Sequence, residues 1–354
     1  MDKTFHVVIL YLLIYLSLIF FMYPSQLISS SKDSYWLPIF VQIVIHFFML
    51  TIFLKGLSFF PKEDIITIFK KSNLFILIFL LPIFSYLFMT YLISIMAYTE
   101  IINIIFLSKT PVFAVLLLII FTSTYIASKG IDAIFRTGIL IAFFFIPIII
   151  FTLALSYQNM DWHYILPLQN KNFSFLIDKQ YLSSFFAISG GFIWLGFIHP
   201  QFHFKKNKIV LTFILTIPCY FLSVYIPILI FGSKAASTFV FPFVIAVDTI
   251  NITWLMFDRI TIFLLLSLMT FNLLFISLIL WQLLQMVHAF FPKWKTNYLL
   301  LLFSSLGASS YYFAPNYNDT QFFFNLTTVL RFFIIFVVPI SLYILGKRKK
   351  RLSK

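Results

Sequence analysis

The chain has little charge, few glycines and almost no cysteine. Of its 354 residues, 10% are charged, nine are glycine and one is cysteine. A lone cysteine, Cys219, excludes an internal disulfide and a metal site built from several cysteines. The sequence shows no glycine-rich phosphate loop, no carboxylate pair suited to hydrolysis and no Ser/His/Asp constellation in a plausible context. It therefore predicts no enzyme, no metal site and no cofactor.

Long apolar runs dominate what is present. Hydrophobic residues make up 62% of the chain, in runs of about 20, which is the length that a helix needs to cross hydrocarbon. The sequence predicts an all-α polytopic membrane protein, with residues 1–354 as a single integral membrane domain. Ten spans are expected, at about 6–28, 35–54, 73–98, 110–128, 137–157, 181–199, 209–231, 258–287, 298–314 and 328–346.

The positive charge is distributed as in a membrane protein. The net charge is +14, yet most Lys and Arg residues lie in short loops on one side of the predicted spans, and the one dense run is 347–351. This asymmetry favours both termini in the cytoplasm and an even number of spans. A basic tail beside a span attracts anionic lipid headgroups, so the membrane is the expected partner and nucleic acid is not.

Two predicted spans contain helix-breaking residues. Span 6 carries Ser189, Gly190 and Gly191 near its middle, and span 1 ends near Pro24. Glycines in a membrane helix indicate either close helix packing or a backbone opened to hold a ligand. Breaks in corresponding helices of two halves are typical of an inverted-repeat transporter. We expect repeat 1 at about 6–157, repeat 2 at about 181–314, a last helix at 328–346 and a basic tail at 347–354.

One polar stripe lies on an otherwise apolar helix. In span 3, Tyr86, Thr90 and Ser94 recur every four residues and share one face. Their hydroxyls either return hydrogen bonds to their own helix or face a cavity. Span 8 offers Phe271 and Phe275 at comparable depth.

Five charged residues are predicted to form structural ion pairs. Glu100 lies in an apolar context, where a carboxylate needs a partner or water. Asp132 and Arg136 are four residues apart and are expected to form a salt bridge on one helix face. Asp258 and Arg259 begin span 8, and adjacent residues point in different directions, so each is expected to bond elsewhere.

Several of these features occur together in one known family. They are Pro24, Glu100 followed by 109–111, the 129–136 element with Asp132 and Arg136, 166–167, 241–242, 257–260, Pro315 and the basic C-terminus. In their order and spacing, over residues 5 to 350, the chain resembles the B subunits of bacterial spore germinant receptors. These belong to the amino acid–polyamine–organocation transporter superfamily.

The resemblance implies a LeuT-like fold of two inverted five-helix repeats, in which helices 1 and 6 are interrupted. It implies a small ligand, typically an amino acid, among spans 1, 3, 6 and 8, whose binding signals germination. The implied partners are an A subunit and a lipoprotein C subunit in the spore inner membrane. The expected ligand-binding residues are Ser17, Tyr86, Thr90, Ser94, Ser189, Gly190, Gly191, Trp194, Phe271 and Phe275.

Two alternative functions remain open. One is an amino acid permease coupled to protons through Glu100, or to sodium through unwound carbonyls. The other is a structural or assembly subunit with a vestigial pocket. It is motivated by span 1, where the family commonly has a Gly-x-Gly break and this chain has Ser17 and Ile19.

Overall fold

The first helix bends sharply after its first 16 residues. Helix α1 (Thr4–Ile19) is followed by α2 (Tyr23–Ser30), and the two axes differ by 47°. Pro24 lies in the first turn of α2. Because proline has no N–H, it cannot bond to the carbonyl one turn earlier, and this favours a break at that point. The interruption predicted for span 1 is thus present.

The computed structural model describes residues 3–31, 34–105, 109–166, 173–189, 191–250, 261–313 and 317–352. This part of the chain is helical almost throughout. The helices after α2 are α3 (Trp36–Leu57), α4 (Ile65–Phe69), α5 (Asn73–Ile105), α6 (Val112–Ser128), α7 (Ile131–Ser156), α8 (Lys179–Ser184), α9 (Phe186–Ser189), α10 (Trp194–Ile198), α11 (Lys206–Phe231), α12 (Ser233–Ala236), α13 (Pro242–Asp248), α14 (Thr261–Phe290), α15 (Thr296–Phe313), α16 (Tyr317–Leu326) and α17 (328–352). Two π-helical stretches, Ile76–Leu80 and Phe333–Val337, lie inside α5 and α17.

The helices agree with the predicted membrane architecture. Within the described ranges, six helices are long and apolar enough to cross a membrane, and the bent pair of α1 and α2 makes a seventh. Predicted spans 4 and 9 correspond to the shorter helices α6 and α15. Predicted span 6 corresponds to the three short pieces α8, α9 and α10. The ten-span prediction is compatible with this arrangement. The three predicted spans outside these seven are two shorter helices and one broken span.

Helix α14 lies at the centre of the bundle. In its most apolar window 67% of the residues are buried, against 22% for α7. Helices α1, α5, α6 and α7 pack around it. A helix that is apolar on every side and buried on most of them belongs in the interior of a bundle, whereas α7 presents most of its apolar surface outwards.

The C-terminal helix is tied to the loop between α3 and α5. Helix α17 packs along α3. The Glu63 carboxylate lies 2.6 Å from the ammonium groups of both Lys71 and Lys349. Partial burial raises the pKa of this carboxyl, but the two lysines more than reverse that effect, so the pKa lies below its ordinary value.

The predicted salt bridge between Asp132 and Arg136 is replaced by a different pair. The Asp132 carboxylate contacts the ammonium group of Lys3, next to the start of α1, and Arg136 is exposed. Spacing along one helix cannot show that a basic residue from a distant part of the chain comes closer. The pair joins α7 to the N-terminal end of α1.

Candidate ligand-binding site

The break between α1 and α2 frees backbone groups that side chains then bind. In a continuous helix the carbonyl of Ser17 would accept a hydrogen bond from the amide four residues later. Here it accepts one from the Tyr98 hydroxyl of α5, at 2.9 Å. The Phe21 ring, in the break itself, stacks on the Tyr98 ring with centroids 4.2 Å apart. The interrupted helix is thus held against α5 by one tyrosine.

Beside the break that separates α9 from α10, backbone carbonyls also accept hydrogen bonds from tyrosine side chains. The carbonyl of Ala187 accepts a hydrogen bond from the Tyr220 hydroxyl at 3.1 Å. The carbonyl of Ile188 accepts one from the Tyr15 hydroxyl at 3.3 Å. Non-helical backbone within a membrane protein persists only where such internal partners replace the missing ones. Both breaks are therefore stable features of the fold.

Gly191 is required by close packing. A Cβ atom at this position would lie 2.1 Å from Cζ of Tyr15, far inside van der Waals contact. The packing interpretation of the glycine pair thus applies to Gly191. Its neighbour Gly190 lies outside the described residues, and the backbone of Ser189 ends α9.

A buried histidine links α1 to α3 beside this contact. His46 is fully buried, and its Nε2 atom lies 3.1 Å from the hydroxyl oxygens of both Tyr11 and Tyr15. Its ring stacks on Phe213 of α11, with centroids 4.3 Å apart. The sequence does not reveal this cluster, because its members are far apart in the chain.

A cavity lies where the two interrupted helices approach α5, α14 and α17. We call it the inter-helix cavity. The space in it that the centre of a water molecule can occupy is about 30 Å³. Its lining residues are Leu18, Phe21, Met22, Tyr86, Thr90, Ile93, Ser94, Ala97, Tyr98, Phe186, Asn272, Phe275, Phe324, Thr327 and Arg331. Apolar walls with a few convergent polar groups are typical of small-molecule sites.

Four of the predicted ligand-binding residues line this cavity: Tyr86, Thr90, Ser94 and Phe275. The Thr90 hydroxyl also donates a hydrogen bond to the carbonyl of Tyr86, at 2.7 Å. The polar stripe of α5 therefore fits both interpretations at once: it faces the cavity, and at least one hydroxyl is satisfied within its own helix.

Four other predicted residues point elsewhere. The Ser17 hydroxyl bonds to the carbonyl of Ile14, and the Trp194 indole N–H bonds to the carbonyl of Gly191. Phe271 is buried and packs edge-to-face with another ring, that of Phe145. Ser17, Gly191, Trp194 and Phe271 do not line the cavity, because sequence depth alone does not give the rotation of a helix about its axis.

Arg331 is the cavity residue that the ligand-site prediction missed. It lies in the first turns of α17 and is 2% exposed. Its guanidinium donates to the carbonyl of Ser183 at 2.8 Å, to the hydroxyl of Thr327 at 2.7 Å and to the carbonyl of Phe324. The signal that could have found it is an arginine inside an apolar span, since intramembrane charges are generally functional.

Glu100 does not form the expected ion pair within the described residues. Its Oε1 atom accepts a hydrogen bond from the Thr320 hydroxyl at 3.2 Å, and its Oε2 atom has no partner there. The nearby carboxyl is Asp319, a like charge. The prediction for Asp258 and Arg259 falls outside the described residues.

These features define a class: a membrane protein with a LeuT-like fold and a cavity between its interrupted helices. The solved structure of MhsT in complex with L-phenylalanine has a similar fold, with a TM-score of 0.51 and 12% sequence identity. The similarity covers 95% of this chain and 97% of that chain, and at this identity it shows the fold alone.

The family follows from a separate comparison. The model of the spore germination protein family matches residues 3–318, and the chain belongs to this family. No curated protein matches the chain.

Proposed function

We propose that the chain is the B subunit of a spore germinant receptor. It binds a small germinant in the inter-helix cavity and signals to A and C partner subunits. It lies in the spore inner membrane with both termini on the core side. The observation that carries this proposal is the meeting of both interrupted helices and the polar stripe of α5 at one cavity, in a chain of the germination family.

The size of the cavity suggests how binding is converted into a signal. A space of about 30 Å³ accepts about two or three water molecules. Any larger ligand must push its walls apart, and those walls include the α1–α2 junction and α9. Binding then favours a conformation in which the broken helices are displaced, and partner subunits sense that population shift.

Thr90 gives a sharp test of this assignment. Thr90 lines the cavity, and Thr90→Val keeps the side-chain shape but removes its hydroxyl. Thr99→Val is a matched control on the same helix: its hydroxyl bonds to the carbonyl of Ile95 at 2.8 Å, and it does not line the cavity. Spores lacking the chain are scored against a germinant panel, and each variant is then reintroduced.

We expect the wild type and Thr99→Val to restore the lost response at the same germinant concentration. Thr90→Val should require a higher concentration or fail to respond. Equal responses of the two variants would show that the cavity is not the germinant-binding site. If no response is lost in spores lacking the chain, the receptor function itself is wrong.

Coupled transport is a second candidate, favoured by Glu100. One oxygen of this carboxylate is buried without a hydrogen-bond partner among the described residues, as expected of a group that exchanges a proton. Amino acid uptake into vesicles under an imposed proton gradient tests it. Loss of uptake with retained binding in Glu100→Gln would support proton-coupled transport, and no accumulation by the wild type would exclude it.

A further inference from the structure

Arg331 is a buried cation on the wall of the inter-helix cavity. The guanidinium carbon lies 3.8 Å from the centroid of the Phe324 ring, and its three hydrogen bonds go to neutral oxygens of Ser183, Phe324 and Thr327. These contacts fix the orientation of the group. None of these three oxygens carries a negative charge, so these contacts do not neutralise the guanidinium.

No carboxylate in the described ranges forms an ion pair with Arg331. The acidic residues seen to make ion pairs there are Glu63, Asp132 and Asp161, and they pair with other residues. Burying a charge without a counterion is costly, and buried arginines are normally paired. A guanidinium is also well suited to a carboxylate, since its planar donors match the two oxygens of the anion.

Among the described residues, no other lining group would compete for this role. The other polar lining residues there are tyrosines, threonines, a serine and an asparagine, and none is Asp or Glu. A ligand with a net positive charge would therefore meet Arg331 with no compensating anion. A carboxylate would meet it with charge complementarity, inside a largely apolar enclosure where that interaction is strong.

We propose that Arg331, on α17, is the anion-binding group of the cavity. Its guanidinium binds a carboxylate of the ligand. This inference rests on the proposed ligand-binding function. It specifies that ligands carry a carboxylate, that their carboxamides bind much more weakly, and that cationic compounds are excluded.

The test compares carboxylates with carboxamides on the same protein. The full chain, with any subunits that co-purify, is reconstituted in nanodiscs. Equilibrium binding is measured for a panel of neutral L-amino acids, their carboxamides and the corresponding amines. For wild type, we expect at least one carboxylate to bind about 30-fold or more tightly than its carboxamide. This ratio is at the lower end of the affinity losses that follow removal of one partner of a buried charge pair.

Substitution of Arg331 provides the second measurement. Arg331→Met removes the charge and retains much of the volume, and it should abolish the preference for the carboxylate. Arg331→Lys keeps the charge without the planar donors and should retain part of that preference. Arg136→Gln is the control: it removes an exposed arginine that does not line the cavity and should leave both affinities unchanged.

The outcomes separate this inference from the function on which it rests. If wild type binds a carboxylate and its carboxamide equally, the role of Arg331 is wrong, although the cavity remains a binding site. A preference that survives in Arg331→Met shows that Arg331 only ties Ser183 to Phe324. If Arg331→Met does not fold, the ratio of carboxylate to carboxamide affinity in wild type and in Arg331→Lys still tests the role of Arg331. Absence of binding by the whole panel overturns both proposals.

Discussion

Gly191→Ala tests the packing of the interrupted helix against α1. The added methyl carbon would lie 2.1 Å from Cζ, 2.3 Å from Cε2 and 2.4 Å from the hydroxyl oxygen of Tyr15. Tyr15 is fully buried and cannot swing into solvent. Relief of the overlap therefore requires the ring to move away from His46 and from the carbonyl of Ile188.

The cost follows from these contacts. Overpacking a filled interior costs about 1–3 kcal/mol, and loss of one Tyr15 hydrogen bond adds about 1 kcal/mol. We expect Gly191→Ala to lower the free energy of unfolding by about 2–4 kcal/mol. The assay is a denaturant titration of the detergent-solubilised protein, followed by tryptophan fluorescence.

Two further variants show whether the overlap with Tyr15 is the cause. Gly138→Ala, in α7, places its methyl carbon no closer than 3.8 Å to any neighbour, so it should be neutral or slightly stabilising. Adding Tyr15→Ala to Gly191→Ala should cost less than the sum of the single changes, because the clash is already gone. If Gly191→Ala unfolds like wild type, the described contact is wrong.

Two other predictions concern the hydrogen bond at the α1–α2 break and the ion pairs of Glu63. Tyr98→Phe leaves the carbonyl of Ser17 without its hydroxyl donor, so it should cost about 1–3 kcal/mol in the same titration; an unchanged midpoint would contradict the bond. Glu63→Gln removes a carboxyl whose pKa is held below the ordinary 4.5 by Lys349 and Lys71. The wild-type advantage in stability should be present above pH 4.5 and disappear as the pH falls through the lowered pKa, and a pH-independent difference would contradict it.

The sequence predicted those features that depend on local pattern. The stripe of Tyr86, Thr90 and Ser94 faces one cavity because a four-residue spacing keeps side chains on one helix face. The break near Pro24 follows from the missing donor of proline. The confirmed membrane fold follows from the length and number of apolar runs.

Features that depend on how helices face one another were not predicted. The sequence does not show that Lys3 reaches Asp132, or that His46 meets Tyr11 and Tyr15. These helices are apolar on all sides, so periodicity does not show which face is turned inwards. Arg331 was missed for a related reason: near the end of a span, an arginine also fits a position at the membrane surface.

The most direct test of the central claim fills the inter-helix cavity. Ala97 lines the cavity and is buried, so Ala97→Val adds two methyl groups to a space of about 30 Å³. Ala142→Val is the control, since Ala142 is buried in α7 away from the cavity. The measurement is equilibrium binding of a radiolabelled germinant, chosen from the spore panel, to the purified chain. We predict saturable binding to wild type and Ala142→Val, and loss of binding to folded Ala97→Val. Equal binding to all three proteins would contradict the account.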